Sequence, residues 1–199
     1  MIHDLDETLR ELLTQTLPPA LVEQVTISFA TPDDQFPPTS VTLPALNLFL
    51  YDVQENRELR SNEWRVKRGS DGMATKRPPP VRVNCSYLVT AWPSESAPQP
   101  AEDEHRLLGE VMKVLLRYPT IPAEVLQGDL QGQEPPLPTI SLNPGRLQSV
   151  GEFWQALGGK PKAALNYTVT LGVDVHEAVE IGPPVIDKTL RFRQGTKEG

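Results

Sequence analysis

The apolar positions change period several times along the chain, and each change marks an element. Leu5, Leu9, Leu12 and Leu13 recur at helical spacing, with Asp4, Asp6 and Glu7 in the first turn, where acids favour the positive end of the helix dipole. This predicts an amphipathic helix over 3–16, ended by Pro18-Pro19. Val25, Ile27 and Phe29 then alternate with polar residues in a short strand before the turn-rich "TPDDQFPP". Over 46–53 both faces are apolar, with Leu46, Leu48 and Leu50 on one and Phe49, Tyr51 and Val53 on the other. A strand of that kind is covered on both sides.

In "VRVNCSYLVTAW", Val81, Val83, Cys85, Tyr87, Val89 and Ala91 share one face, the pattern of a strand half buried against helices. A Pro- and acid-rich linker over 93–104 leads to a second helix, whose stripe is Leu107, Leu108, Val111, Met112, Leu115 and Leu116 and whose stop is Pro119. Residues 119–148 form a long Pro-rich loop with one short strand near Ile140 and Leu142; a loop of this length is usually functional or ordered on assembly. "SVGEFWQALGG" reads as a short helix with a glycine stop. Beyond it Leu165, Tyr167, Val169, Leu171, Val173 and Val175 point inward, with Asn166, Thr168, Thr170 and Asp174 outward, in a strand of roughly 35 Å at about 3.3 Å per residue. A last alternating piece runs from Ile186 to Phe192. Strands interspersed with two principal helices predict an α/β (α+β) fold, a mixed β-sheet flanked by helices. The domain organisation expected is one domain over 1–180 and a tail over 181–199.

Composition sharpens this picture. The 199 residues suit one good-sized domain, and the 21 prolines are roughly twice the usual share, so much of the chain is extended or looped. The single cysteine, Cys85, excludes a disulfide framework and points to assembly in a reducing cytoplasm. The chain start has no basic-then-apolar pattern of a cleaved signal, and no segment approaches the roughly 20 apolar residues of a membrane span, so no direct membrane insertion is expected. The net charge of −7 is unevenly spread: between Arg57 and Arg77 seven basic residues face three acids, a balance of +4 that leaves −11 for the rest. A basic segment on an acidic body suits complementary contact, including contact between copies.

Catalytic chemistry is scarce. "DLDET", Asp4–Thr8, resembles the nucleophile run of a haloacid dehalogenase-like phosphatase, but no strand precedes it to hold Asp4 at a sheet tip, so it reads as an acidic first helical turn. "HEAVE", His176–Glu180, has Glu where a zinc-protease helix needs its second His. His3, His105 and His176 lie in different elements, "GGKP" lacks the rest of a phosphate loop, and Cys85 faces the core. No catalytic residue, cofactor site or metal ligand set emerges, and the expectation is a protein that is not an enzyme. What remains is the stretch "NRELRSNEWRVKR". Asn56, Arg57, Glu58, Arg60, Glu63, Trp64, Arg65, Lys67 and Arg68 are the candidate interface. Glutamates among the arginines disfavour phosphate and suit salt bridges, and Arg and Trp are favoured anchors between proteins. The alternative is a monomeric regulatory or nucleic-acid-binding module using the basic 57–77 loop, which predicts a salt-sensitive complex with DNA or RNA.

Four blocks, "LNLFLYDVQENRELRSNEW", "RPPPVRVNCSYLVTAW", "EHRLLGEVMKVLLRYPTIP" and "FWQALGGKPKAALNYTVTLGVDV", resemble in this order and spacing the cap or tail-terminator family of contractile injection systems, phage-tail-like particles of bacteria. The likeness spans about residues 2–176. It implies a structural part with a phage tail-terminator-like fold: a homohexamer ring that sits on the last inner-tube ring, contacts the last sheath ring, halts polymerisation and joins the two cylinders. It implies no cofactor and no nucleic acid as partner. Sheath subunits in such particles are linked by exchanged strands, which makes Ile186, Leu190 and Phe192 the candidate residues of an augmenting tail strand. Some similar proteins are longer, leaving any outward-facing or anchoring domain outside the likeness.

Overall fold

In the computed structural model, which describes residues 1–68, 73–142, 150–159 and 161–182, the first leucine stripe becomes helix α1 (Ile2–Thr16), followed by a single turn, α2 (Pro19–Val22). Strands β1 (Thr26–Ser28), β2 (Ala45–Glu55), β3 (Arg65–Arg68), β4 (Ala74–Arg77) and β5 (Val81–Trp92) come next. Helix α3 (Pro100–Arg117), β6 (Thr139–Ser141), α4 (Val150–Ala156), β7 (Ala164–Val173) and β8 (Val179–Gly182) complete the order. The chain divides into two units, residues 1–59 with 81–173, and residues 60–80 with 174–199.

The larger unit is a mixed five-stranded sheet, β1-β2-β5-β7-β6, with β1 parallel to β2 and all other pairs antiparallel. The mixed sheet flanked by helices that the periodicity predicts is the one that forms. On one face Leu46, Leu48, Cys85, Tyr87, Val89, Tyr167, Val169 and Leu171 meet Leu5, Leu9, Leu12 and Leu13 of α1 and the buried stripe of α3. That stripe is Leu107, Leu108, Val111, Val114 and Leu115; Leu116 is exposed and Met112 only partly buried, because the helix turns Val114 toward the sheet instead. On the other face Phe153 of α4 lies against Phe49 and Tyr51, with ring centroids 6.3 and 6.0 Å apart.

The alternation rule needs two corrections. A bulge between Leu50 and Asp52 makes Tyr51 an extra residue, so Val53 pairs with Cys85 and lies on the same side as Leu50 rather than with Phe49. The polar row of β5 and β7 is also not outward in the sense of solvated: Asn84, Ser86, Thr90, Thr168 and Thr170 are all buried. Four of them satisfy one another across the ladder, Ser86 Oγ lying 3.1 Å from Thr168 Oγ1 and Thr170 Oγ1 donating to Asn84 Oδ1 at 2.8 Å, while Thr90 Oγ1 accepts from Trp92 Nε1 at 2.9 Å. Burial is tolerated because each group has a partner. Residues 119–142 hold two 3-10 turns, Ala123–Val125 and Gly128–Leu130, and β6 on the edge of the sheet.

One buried contact ties α1 to the central strand. The Tyr87 hydroxyl donates to Asp6 Oδ1 at 2.8 Å, and burial pushes the Asp6 carboxyl above its ordinary range although the hydrogen bond works the other way. A raised carboxyl means the folded chain holds that proton more tightly than the unfolded chain, so this group's contribution to stability is present at low pH and lost as pH rises through the folded value. Asp6→Asn keeps an acceptor for Tyr87 and removes the titration. The stability of the variant relative to the parent should therefore rise with pH across the carboxylate range, measured by urea unfolding at several pH values. A difference that does not change with pH would contradict the assignment.

Candidate functional site

The candidate residues start where β2 leaves the sheet. The Asn56 backbone N–H donates to the Arg82 carbonyl at 2.7 Å, continuing the ladder one residue past β2, while Asn56 Nδ2 donates to Asn84 Oδ1 at 3.2 Å and Asn56 Oδ1 accepts the Leu59 N–H at 3.1 Å. Asn56 is therefore half buried and fastens the turn. Arg57, Glu58 and Leu59 project from that anchor; the Arg57 side chain is 84% exposed, with only a long 3.9 Å contact to Glu55. Asn84 is the hinge of the arrangement, since its one carbonyl oxygen accepts from both Asn56 and Thr170. Asn84→Ala should cost about 1–3 kcal/mol by leaving these donors without their acceptor. Hydrogen exchange at the Leu59 amide should speed up in that variant; unchanged exchange and stability would show that Asn84 holds nothing.

Arg60, Glu63, Trp64, Arg65, Lys67 and Arg68 belong to the smaller unit, an antiparallel sheet in the order β3-β4-β8. The sequence suggests an irregular loop from Arg57 to Arg77. Instead Arg65 to Arg68 pair with Arg77 to Ala74, and β4 pairs onward with β8. The pairing sorts the side chains. Val66, Lys76 and Val179 share a row and so a face; Trp64 lies two residues before Val66, and the Lys76 ammonium sits 4.3 Å above the centre of its ring. Trp64, Val66 and Val179 are about half exposed, at 49, 55 and 56%. Arg65, Lys67, Thr75, Arg77 and Glu180 take the opposite face, where Arg77 is ion-paired to Asp174. Arg68 extends β3; Ile186, Leu190 and Phe192 lie outside the described residues.

The sequence reading thus finds the segment but misses its pairing, and misses Lys76, Val179 and Glu180 as members of the same small sheet. The turn composition "GSDG" at 69–72 is the one local signal for a hairpin there. The catalytic lures resolve as structure. Asp4 accepts the Asp129 N–H at 3.3 Å beside Gly128, whose φ of +52° and closeness to that carboxylate leave no room for a Cβ. Cys85 is buried, and burial first, then the charges of Asp6 and Asp52, pushes its thiol up to about 11. Among the described residues no group of His, Cys, Asp and Glu is placed to hold a metal ion, and no helix is long and apolar enough to cross a membrane.

A family model described as the Pvc16 N-terminal domain matches residues 4–188. The chain belongs to the Pvc16 N-terminal domain family. Two solved structures are similar to it. One is the sheath/tube terminator, in the extended state, of an extracellular contractile injection system called PVC; it is 25% identical, has a TM-score of 0.67, and is matched over 100% of this chain and 65% of that one. The other is the tube-terminating cap of the anti-feeding prophage, 25% identical with a TM-score of 0.63, matched over 94% of this chain and 60% of that one. The chain spans less than two thirds of either. A search of curated proteins gave no significant match. The likeness to tail terminators drawn from four sequence blocks is thereby borne out, and the mixed sheet with its flanking helices is similar to the fold of the PVC terminator.

Proposed function

We propose that this chain is a structural cap of a contractile injection system, ending the growth of inner tube and sheath and joining the two. The observation that carries the reading is the match in fold, at 25% identity, of all of this chain to a sheath/tube terminator and of 94% of it to a tube-terminating cap. The partners are the terminal rings of inner tube and sheath, and further copies of the chain in a hexameric ring. The protein acts by binding alone, and it assembles in the cytoplasm as part of the particle. A closed ring needs a heterologous interface, one face docking on a different face of the neighbour. The basic segment carrying Arg57, Arg60, Arg65 and Lys67 supplies one side of such a contact, and the acidic remainder of the chain supplies a partner for it.

The test is tube length. Inner tube and sheath proteins are assembled with and without this chain and imaged by negative stain. With it, tubes should have a narrow length distribution and a ring at one end; tubes of unchanged, open-ended length in its presence would overturn the reading.

A further inference from the structure

A cleft of about 670 Å³ opens in the larger unit between Asp33, Asp34 and Phe36, the first turns of α3, and residues 158–159 and 161–163. That is within the roughly 300–1,000 Å³ of pockets that enclose a ligand. Its floor is aromatic, Phe36 lying against Trp92 with centroids 4.3 Å apart. Its wall is closely built: a Cβ on Gly159 would come within 3.2 Å of both the Pro32 carbonyl and the fully buried Trp154 ring. The cleft already seats one cation. Lys162 Nζ lies 4.6 Å above the Trp92 ring centre and is ion-paired to Glu104, with both side chains largely buried. Aromatic faces and carboxylates together are a receptor for ammonium and guanidinium groups. Lys162 balances Glu104, and Asp33 and Asp34 add two further carboxylates at the mouth.

We infer that this cleft receives the basic β3 strand of a second copy of the chain, with Arg65 and Lys67 meeting Asp33 and Asp34 at its mouth, beside the Lys162–Glu104 pair. The inference rests on the ring-forming reading and supplies the acceptor that reading leaves unassigned. Charge complementarity narrows the occupant. Two stretches of the sequence are strongly basic, 57–77 at +4 and 188–197 at +4, and only the first has strands among the described residues; the sequence outside 57–77 stands at −11 in all. Arg65 and Lys67 lie on one exposed face of β3, two residues apart, so both reach the same partner surface. Donor strand and acceptor cleft are different surfaces, and such a contact propagates head to tail until a ring closes.

Charge exchange tests it. Asp33→Asn keeps the carbonyl that accepts the Gln35 N–H, and Asp34→Lys reverses a charge at an exposed position, so this pair of changes spares the fold. The reciprocal pair is Arg65→Glu with Lys67→Glu. All chains are added in full length to assembled inner tubes, and rings at tube ends are counted by negative stain, with circular dichroism as the folding control. Each pair alone should reduce end rings at least tenfold, and the two pairs combined in one chain should restore them at least partly. Normal ring counts for Asp33→Asn with Asp34→Lys, or no recovery in the folded combined chain, would overturn the cleft assignment. Those results leave the cap reading standing, because the parent chain still ends tubes; failure of the parent to form any end ring overturns both. A folding defect in the double changes is met with Lys67→Glu and Asp34→Lys singly and together, where a purely additive loss also overturns the pairing.

Discussion

Arg57→Glu combined with Arg60→Glu should leave a folded, soluble monomer that no longer forms rings or caps tubes. The fold loses little at these two exposed positions, where the Arg57 contact with Glu55 is a long surface pair, a kind worth about 0–1 kcal/mol. An interface would lose much more. Two cations become two anions in a surface meant to meet carboxylates, and reversing charge at a docked arginine replaces attraction by repulsion as well as removing an anchor. The loss should be at least a hundredfold in ring formation, with circular dichroism and thermal melting close to those of the parent. Light scattering on the eluted protein and negative-stain imaging of tube ends measure it. Rings of normal number on tubes of normal length would remove this segment from the interface.

Leu9→Ala should be as damaging as any single leucine truncation on α1 and should act on stability alone. Leu9 is fully buried between the helix and the sheet, in a cluster with Leu5, Leu12, Leu13, Tyr87 and Val89. Removing a buried leucine side chain loses its transfer free energy and leaves a cavity, together about 2–5 kcal/mol, a large share of a domain's net stability. Leu116→Ala on α3 is the control, since Leu116 is half exposed and its truncation should cost well under 1 kcal/mol. Urea unfolding compares the two, and equal costs would mean that the core has been placed on the wrong face of these helices.

The contrast between Leu9 and Leu116 also shows where reading by period succeeds and where it stops. Apolar spacing of 3.6 and of 2 reflects the backbone geometry of helix and strand, so α1, α3, β2, β5 and β7 are visible in the string of residues. Leu116 falls within the apolar stripe of α3 by spacing, yet the structure exposes it, because a stripe gives a direction and not the edge of the surface it meets. The four-residue strands β3 and β4 escape for another reason. Arg65-Val66-Lys67-Arg68 and Ala74-Thr75-Lys76-Arg77 hold almost no apolar signal, and their third partner, β8, lies about a hundred residues further on. The candidate segment was found from charge and from family resemblance, neither of which carries information about pairing. The acidic cleft is hidden more deeply still, since Asp33, Phe36, Trp92, Glu104 and Lys162 come from four separate stretches of chain.

By itself the sequence determined the layers of this protein, its main helices and strands, the position of its basic segment and the family to which it belongs. These follow from local rules: side-chain period, proline and glycine punctuation, and charge counted along the chain. The tertiary structure alone decided that Tyr51 bulges and returns Val53 to the side of Leu50, that Asn84 gathers Asn56 and Thr170, and that the threonine row of β7 is buried against β5 instead of solvated. Each of these depends on a partner tens of residues away. Register between distant strands is fixed by the packing of the whole sheet, and no property of either strand taken alone contains it.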